Sequence, residues 1–141
     1  GICYYFDYSG YREEEKVSET LKDKAYEIIE STINCLSEKA YDQLGDIVSV
    51  DDSWADGELN AIQGFTEWLD GQLQMWSDDY GKEIIIDAYD ATQVVEDSFN
   101  NGIAIFEYNP TSNGETMDFW FEIRFEAEGD VIKYADFNVN M

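Results

Sequence analysis

Residues 117–126 read MDFWFEIRFE, and this stretch decides the fold. Its large apolar side chains recur at every second position, and the positions between them are charged except for Trp120. A period of two is typical of a β-strand with one buried face. The turn sequence Glu-Gly-Asp at 128–130 leads into an apolar stretch at 131–139, which predicts a second strand paired with the first as a hairpin.

Three shorter strands are predicted before this hairpin. The stretches at 84–86, 92–96 and 103–108 have the composition of strands, and the Asn-Asn-Gly turn at 100–102 separates the last two. Residues 109–114 contain the only proline and are predicted to be a loop. Short turns between about five strands predict an antiparallel meander.

Three helices are predicted before the strands. The longest, at 13–36, carries an apolar stripe at three- and four-residue steps, and a short second helix would begin at Ser37 and stop at Gly45. The third, at 58–76, would be capped by Asp56, and it carries the stripe Leu59, Ile62, Phe65, Leu69, Leu73 and Trp76.

The predicted fold class is α+β, with three N-terminal helices packed on a curved antiparallel meander of about five strands. Residues 13–141 are predicted to form a single α+β roll domain, because no linker or repeat divides them and their number suits one core. Residues 1–12 are predicted to form an aromatic N-terminal arm. The expected core contains Leu21, Ile28, Ile29, Leu69, Phe119, Phe121, Ile123, Phe137 and Val139.

The charge of the chain limits its partners. Asp and Glu number 32 against 8 Lys and Arg, which gives a formal net charge of -24. A field of this sign repels phosphate backbones and anionic lipids and attracts cationic surfaces. We therefore predict no nucleic-acid partner, while solubility or adaptation to salt remains open as another reason for the charge. No stretch has the ~20 apolar residues of a membrane span, so a soluble domain is expected.

The absence of histidine excludes several kinds of chemistry. Ser-His-Asp and Cys-His catalysis require it, and it is the commonest zinc ligand in proteins. The two cysteines, Cys3 and Cys35, either form one bridge or are a tail thiol and a buried helical residue, and the helical stripe favours the second interpretation. No cofactor is predicted. The chain begins with Gly1, which is compatible with a removed export or lipoprotein signal.

The order helix, short helix, acidic loop (residues 50–57), helix and meander resembles the nuclear transport factor two-like and cystatin-like superfamily of small α+β rolls. The stretches 13–36, 37–45, 58–76 and 117–139 carry this resemblance of layout. In that superfamily the sheet wraps round the long helix and leaves a conical pocket, which members use for catalysis, for binding or only as core. The Asp-His pairs of its enzymes have no counterpart here, so the resemblance does not imply an enzyme.

Two groups of carboxylates are candidates for metal binding or acid-base catalysis. Asp52, Asp56, Gly57 and Glu58 are similar to the start of an EF-hand loop, but Trp54 occupies the third position and Gln63 the twelfth, where calcium ligands are required. A looser site of Asp51, Asp52, Asp56 or Glu58 is the alternative to a solvated loop that caps the third helix, and the loop is favoured, so no metal site is predicted. Asp87 is the best candidate for acid-base work if its side chain faces a pocket together with Tyr89.

The first functional prediction is a non-catalytic domain that binds a basic protein, as an immunity or inhibitor protein binds a cationic toxin or nuclease. Residues 42–90 hold thirteen acids and one base, Lys82, and tryptophans lie among them. Steering charge combined with aromatic anchors is typical of protein interfaces, although these tryptophans could also belong to the core. The predicted contact residues are Asp51, Asp52, Trp54, Asp56, Asp70, Asp78, Asp79 and Tyr80.

The alternative prediction is a small-molecule-binding or weakly catalytic pocket of the nuclear transport factor two-like type. It would lie between the third helix and the sheet and would appear as an enclosed cavity with convergent polar groups. Its predicted lining consists of Trp68, Trp76, Asp87, Tyr89 and Phe119.

Overall fold

The computed structural model describes residues 17–140. The predicted aromatic arm at 1–12, Cys3 and the predicted helix start at Glu13 lie outside this range. Two α-helices come first, α1 (Glu19–Ser37) and α2 (Ala61–Tyr80), with a 3₁₀ helix (Tyr41–Asp46) between them. Strands β2 (Val94–Asn100), β3 (Ile103–Tyr108), β6 (Trp120–Glu128) and β7 (Val131–Asn140) follow. The predicted α+β class is confirmed.

The large sheet of the described residues has the order β1-β7-β6-β3-β2, in which β1 is the two-residue strand Ser49–Val50. Its four long strands form the predicted antiparallel meander, and bulges interrupt the register at Glu96/Ser98 and Glu126/Ala127. The short strand β1 (Ser49–Val50) instead pairs parallel with β7, so the sheet is mixed rather than wholly antiparallel. The sequence prediction missed β1 because a strand of two residues is too short to show the alternation of apolar and polar side chains that identifies a strand.

Two of the helices begin at other residues than the sequence predicts. Ala40, not Ser37, precedes the 3₁₀ helix, since α1 continues to Ser37. Asn60, not Asp56, caps α2, and Asn60 and Gln63 form a reciprocal capping box with two hydrogen bonds of 2.9 Å. Asp56 instead pairs with Leu59 in a tight turn.

The predicted strand at 84–86 is wrong. The amides of Ile84, Ile85 and Tyr89 donate to the side chains of Ser77, Ser112 and Asn34 at 2.8–2.9 Å, rather than to a neighbouring strand. These amides are satisfied without a ladder, so the segment is extended but not a strand. The predicted loop at 109–114 instead begins a small hairpin of β4 (Thr111–Ser112) and β5 (Glu115–Thr116).

The core lies between the helices and the inner face of the sheet. Seven of the nine predicted core residues are buried, and Ile28 and Val139 are partly buried against them. The inner side chains of β6 alternate as predicted, with Phe121, Ile123 and Phe125 fully buried. Cys35 is buried on α1, in agreement with its interpretation as a helical core residue. No helix in residues 17–140 has the length and apolar character needed to cross a membrane.

Candidate functional site

A cleft of about 570 Å³ lies between the acidic loop and the first half of α2. The loop contributes Trp54 and Asp56, and the helix contributes Glu67 and Trp68. Gly64, Glu67 and Trp68 are three and four residues apart and therefore share one face of α2. We call this space the Trp54–Trp68 cleft.

The loop lies against α2 because Gly64 has no side chain. A Cβ at Gly64 would lie 1.8 Å from the backbone oxygen of Trp54, so no other residue fits without moving the loop. The indole Nε1 of Trp54 donates to Asn138 Oδ1 at 2.8 Å, which fixes the ring to β7. Trp54 is therefore half-buried and held in place by both a helix and a strand.

Aromatic rings support the cleft from behind. The Trp54 and Trp68 ring centroids are 5.1 Å apart with a tilt of 48° between the planes. Phe65 contacts both indoles, and Phe119 contacts Trp68 edge to face at 6.4 Å. These contacts leave the two indoles little freedom to reorient.

The structure does not bring all of the predicted contact residues together. Asp70 lies on another face of α2, where it accepts a 2.7 Å hydrogen bond from Tyr41 Oη and pairs with Lys39 at 3.6 Å. Burial and this hydrogen bond raise the pKa of Tyr41. Asp78, Asp79 and Tyr80 lie at the C-terminal end of α2, where Tyr80 is 67% exposed. Eleven residues of helix separate Glu67 from Asp78, which corresponds to about 16 Å.

Asp51 has a local structural role in addition to its place on the acidic loop. Its carboxylate accepts a 2.9 Å hydrogen bond from the backbone amide of Ser53 and begins the 3₁₀ turn at Asp52–Trp54. Hydrogen bonds from Ser53 hold the pKa of Asp51 below its usual value. Asp52 is exposed beside it.

The residues predicted to line a pocket lie in three different places. Trp68 and Trp76 both contact Phe119, which is buried, so these rings fill the space between α2 and the sheet. Tyr89 stacks on Tyr108 at 5.8 Å, and burial raises the pKa of Tyr89 to about 12. A second cleft of about 380 Å³ includes Trp76 and Tyr80, but its other lining residues were not predicted.

The carboxylate of Asp87 is engaged by the turn at 111–114. It accepts hydrogen bonds from Thr111 Oγ1 at 2.8 Å and from the backbone amides of Asn113 and Gly114 at 2.9 and 2.8 Å. Burial raises the pKa of Asp87, but the three hydrogen bonds outweigh burial and hold it below its usual value. An ionised carboxylate that closes a turn is poorly suited to accept or donate a proton near neutral pH.

Sequence reasoning missed Glu67 and Gly64 as parts of the cleft. The spacing of Gly64, Glu67 and Trp68 was a usable signal, because it places them on one helix face. Nothing in the sequence pointed to Asn138 as the partner of Trp54, since the two are 84 residues apart.

Neither a family model nor a curated protein sequence matches this chain. Among solved structures, a SnoaL-like polyketide cyclase from Agrobacterium tumefaciens strain C58 is similar at 19% sequence identity. The match covers 87% of this chain and 93% of the cyclase, with a TM-score of 0.25. A likeness at this level does not show a shared fold or a shared activity.

Proposed function

We propose that this protein binds a basic protein partner through the acidic loop and the adjoining part of α2, in the manner of an immunity or inhibitor protein. One observation carries the proposal. Between residues 40 and 81 the chain has ten acidic residues and no Lys or Arg, and all ten are exposed: Asp42, Asp46, Asp51, Asp52, Asp56, Glu58, Glu67, Asp70, Asp78 and Asp79.

Several of these carboxylates are free to meet a partner. In the described part of the chain, no hydrogen bond or ion pair joins the side chains of Asp52, Asp56, Glu58 and Glu67 to other residues. A positive surface would supply the counter-charges that this region lacks, and its attraction would raise the association rate. The half-buried Trp54 lies among these carboxylates and supplies apolar contact area.

The residues at the end of α2 have a different part in the proposal. Asp78 and Asp79 lie too far from the acidic loop to share one contact with Trp54, so they act on the partner mainly through the long-range field. Such charges change the association rate and its salt dependence more than the dissociation rate. Tyr80 would anchor only a partner large enough to reach both ends of the helix.

The experiment is capture of partners from a lysate of the source organism with the immobilised protein, at low and then high ionic strength. Two double variants are compared with the parent. Asp52→Asn with Glu58→Gln alters the acidic loop, and Asp78→Asn with Asp79→Asn makes the same change of two charges at the end of α2. We expect a basic protein that elutes with salt and binds at least about fivefold more weakly to the loop variant than to the helix-end variant.

Two results would contradict the proposal. One is the absence of any basic protein among the proteins retained at low ionic strength. The other is an equal loss of binding in the two double variants, which would indicate attraction to total charge rather than to a surface. Asp51 is left unchanged in both variants because its carboxylate holds the 3₁₀ turn.

A further inference from the structure

We propose that the Trp54–Trp68 cleft is a binding site for the guanidinium group of one arginine side chain, which the basic partner inserts. This inference rests on the proposed function, and it adds the chemistry that the surface recognises. The cleft is the place where half-buried indole rings and free carboxylates line the same space.

The indole pair supplies the first half of the recognition. A cation within about 6 Å of an aromatic ring centroid is attracted by the ring quadrupole, and tryptophan gives the strongest attraction. The ring centroids of Trp54 and Trp68 are 5.1 Å apart, so the two indoles form one continuous aromatic surface at the cleft. Because Asn138 already accepts the Nε1 proton of Trp54, a cation can approach this ring without leaving its polar group unsatisfied.

The carboxylates supply the second half. Asp56 and Glu67 line the cleft from opposite sides, one on the loop and one on the helix. Their oxygens carry negative charge and accept hydrogen bonds, so they attract a cationic donor. A ligand that is anionic, or that only accepts hydrogen bonds, has no cationic side chain to bind between residues 40 and 81. The cleft therefore selects a donor with positive charge.

Arginine satisfies both halves better than lysine does. Its guanidinium is planar, so it can stack on an indole while its five N–H groups reach carboxylates in the ring plane. The lysine ammonium is compact and strongly hydrated, and it would lose more water on entering a cleft lined by two indoles. We therefore expect the site to rank arginine above lysine.

A second glycine keeps this helix face open beyond the cleft. Gly71 lies seven residues after Gly64 and therefore on the same face of α2, next to Trp68. A Cβ at Gly71 would have no atom within 4 Å, so packing does not require glycine there. The lack of a side chain leaves the approach to Trp68 clear for a long side chain from outside.

The test uses the ¹⁵N-labelled chain of 141 residues and three small probes. The probes are N-acetyl-arginine amide, N-acetyl-lysine amide and N-acetyl-citrulline amide, the last being a neutral near-isostere of arginine. The protein has four tryptophans, so the indole N–H signals of Trp54 and Trp68 report on the cleft while those of Trp76 and Trp120 serve as internal controls. We expect saturable shifts of the first two signals with arginine, smaller shifts with lysine and none with citrulline.

Matched variants connect the shifts to the two carboxylates. Asp56→Asn with Glu67→Gln should weaken arginine binding about tenfold, because the charge-assisted hydrogen bonds are lost. Asp78→Asn with Asp79→Asn changes the net charge by the same amount away from the cleft and should weaken it less than about twofold. Shifts that are absent, equal for arginine and citrulline, or weakened equally by the two variants would overturn the inference.

The arginine titration and the lysate capture can fail independently of each other. If arginine fails to bind in the cleft while the lysate yields a basic partner that depends on Asp52 and Glu58, the cleft inference is wrong and the proposed function stands. If arginine binds in the cleft but no basic partner is captured, the site remains and the proposed function is wrong.

Discussion

Asp87 and the Trp54–Trp68 cleft show two opposite uses of carboxylates in one acidic chain. Asp87 accepts three hydrogen bonds within the turn at 111–114, and these hold its pKa below the usual value despite burial. Asp56 and Glu67 line an open cleft, and no partner within the described residues engages their side chains. A carboxylate with internal donors stabilises the fold, whereas one without them is available to a partner.

The largest expected effect comes from removing the close contact that forms the cleft. Gly64→Ala places a Cβ 1.8 Å from the Trp54 backbone oxygen, and this oxygen cannot rotate away as a side chain could. We expect the free energy of unfolding to fall by about 3 kcal/mol, measured by urea denaturation. The Trp54 and Trp68 indole signals should move in the same variant. A loss below about 0.5 kcal/mol would mean that the loop does not lie against α2 as described.

The next largest effect is expected at Asp87, the carboxylate that has internal hydrogen-bond donors. Asp87→Ala removes the acceptor for Thr111, Asn113 and Gly114, and we expect a loss of about 2 kcal/mol in the free energy of unfolding. Asp56→Ala is the control, because Asp56 is exposed and should change stability by less than about 0.5 kcal/mol. Equal losses in the two variants would contradict the contrast between a structural and a free carboxylate.

The same contrast predicts a dependence on pH. Because the pKa of Asp87 is lowered in the folded state, its stabilisation is fully present above the unfolded pKa of about 3.9 and is lost as pH falls through the folded pKa. Between pH 5 and pH 2, roughly, the parent should therefore lose more stability than Asp87→Asn does. Thermal unfolding at several pH values measures this difference. Parallel losses in the two proteins would show that Asp87 is not the group responsible.

The elements predicted best from the sequence are the strands in which buried and exposed side chains alternate over many residues. The predicted strand at 103–108 coincides with β3, and the strands at 117–126 and 131–139 correspond to β6 and β7. The predicted strand at 84–86 is wrong because the amides of Ile84 and Ile85 donate to the side chains of Ser77 and Ser112, 7 and 27 residues away, rather than to a neighbouring strand. Composition alone does not distinguish an extended segment of this kind from a strand.

Only part of the candidate site was predictable from the sequence, because its other part depends on a contact between distant residues. The loop 51–56 stood out through its charge and through Trp54, but Glu67 and Trp68 join it only because a glycine at position 64 admits the loop backbone. That contact depends on tertiary packing, whereas Asp70, Asp78 and Asp79 were grouped with the loop by sequence proximity alone. Once the helix bounds Ala61–Tyr80 are known, the helical rise places Asp78 and Asp79 about three turns away from the cleft. Asp70 is set apart by its contacts with Tyr41 and Lys39.

A smaller and opposite effect is expected at the other glycine of the same helix face. Gly71→Ala adds a methyl group where no atom lies within 4 Å, and alanine favours the interior of a helix by about 0.8–1 kcal/mol over glycine. We expect the free energy of unfolding to rise by about that amount in urea denaturation. Together with Gly64→Ala, this variant makes a matched pair of identical substitutions seven residues apart. A loss of stability in Gly71→Ala would show that this face is packed rather than open.

The smallest effect should come from the two cleft carboxylates themselves. Asp56→Asn with Glu67→Gln removes no internal hydrogen bond or ion pair in the described part of the chain, so stability should stay within about 0.5 kcal/mol of the parent. At low ionic strength the change should be a slight gain, because a net charge of -24 repels itself and the variant carries two fewer negative charges. Added salt screens this repulsion and should remove the gain.

Thermal unfolding at two salt concentrations measures both points, with Asp78→Asn and Asp79→Asn as the charge-matched control. A marked loss in the cleft variant alone would mean that Asp56 or Glu67 stabilises the fold, and the contrast with Asp87 would then fail.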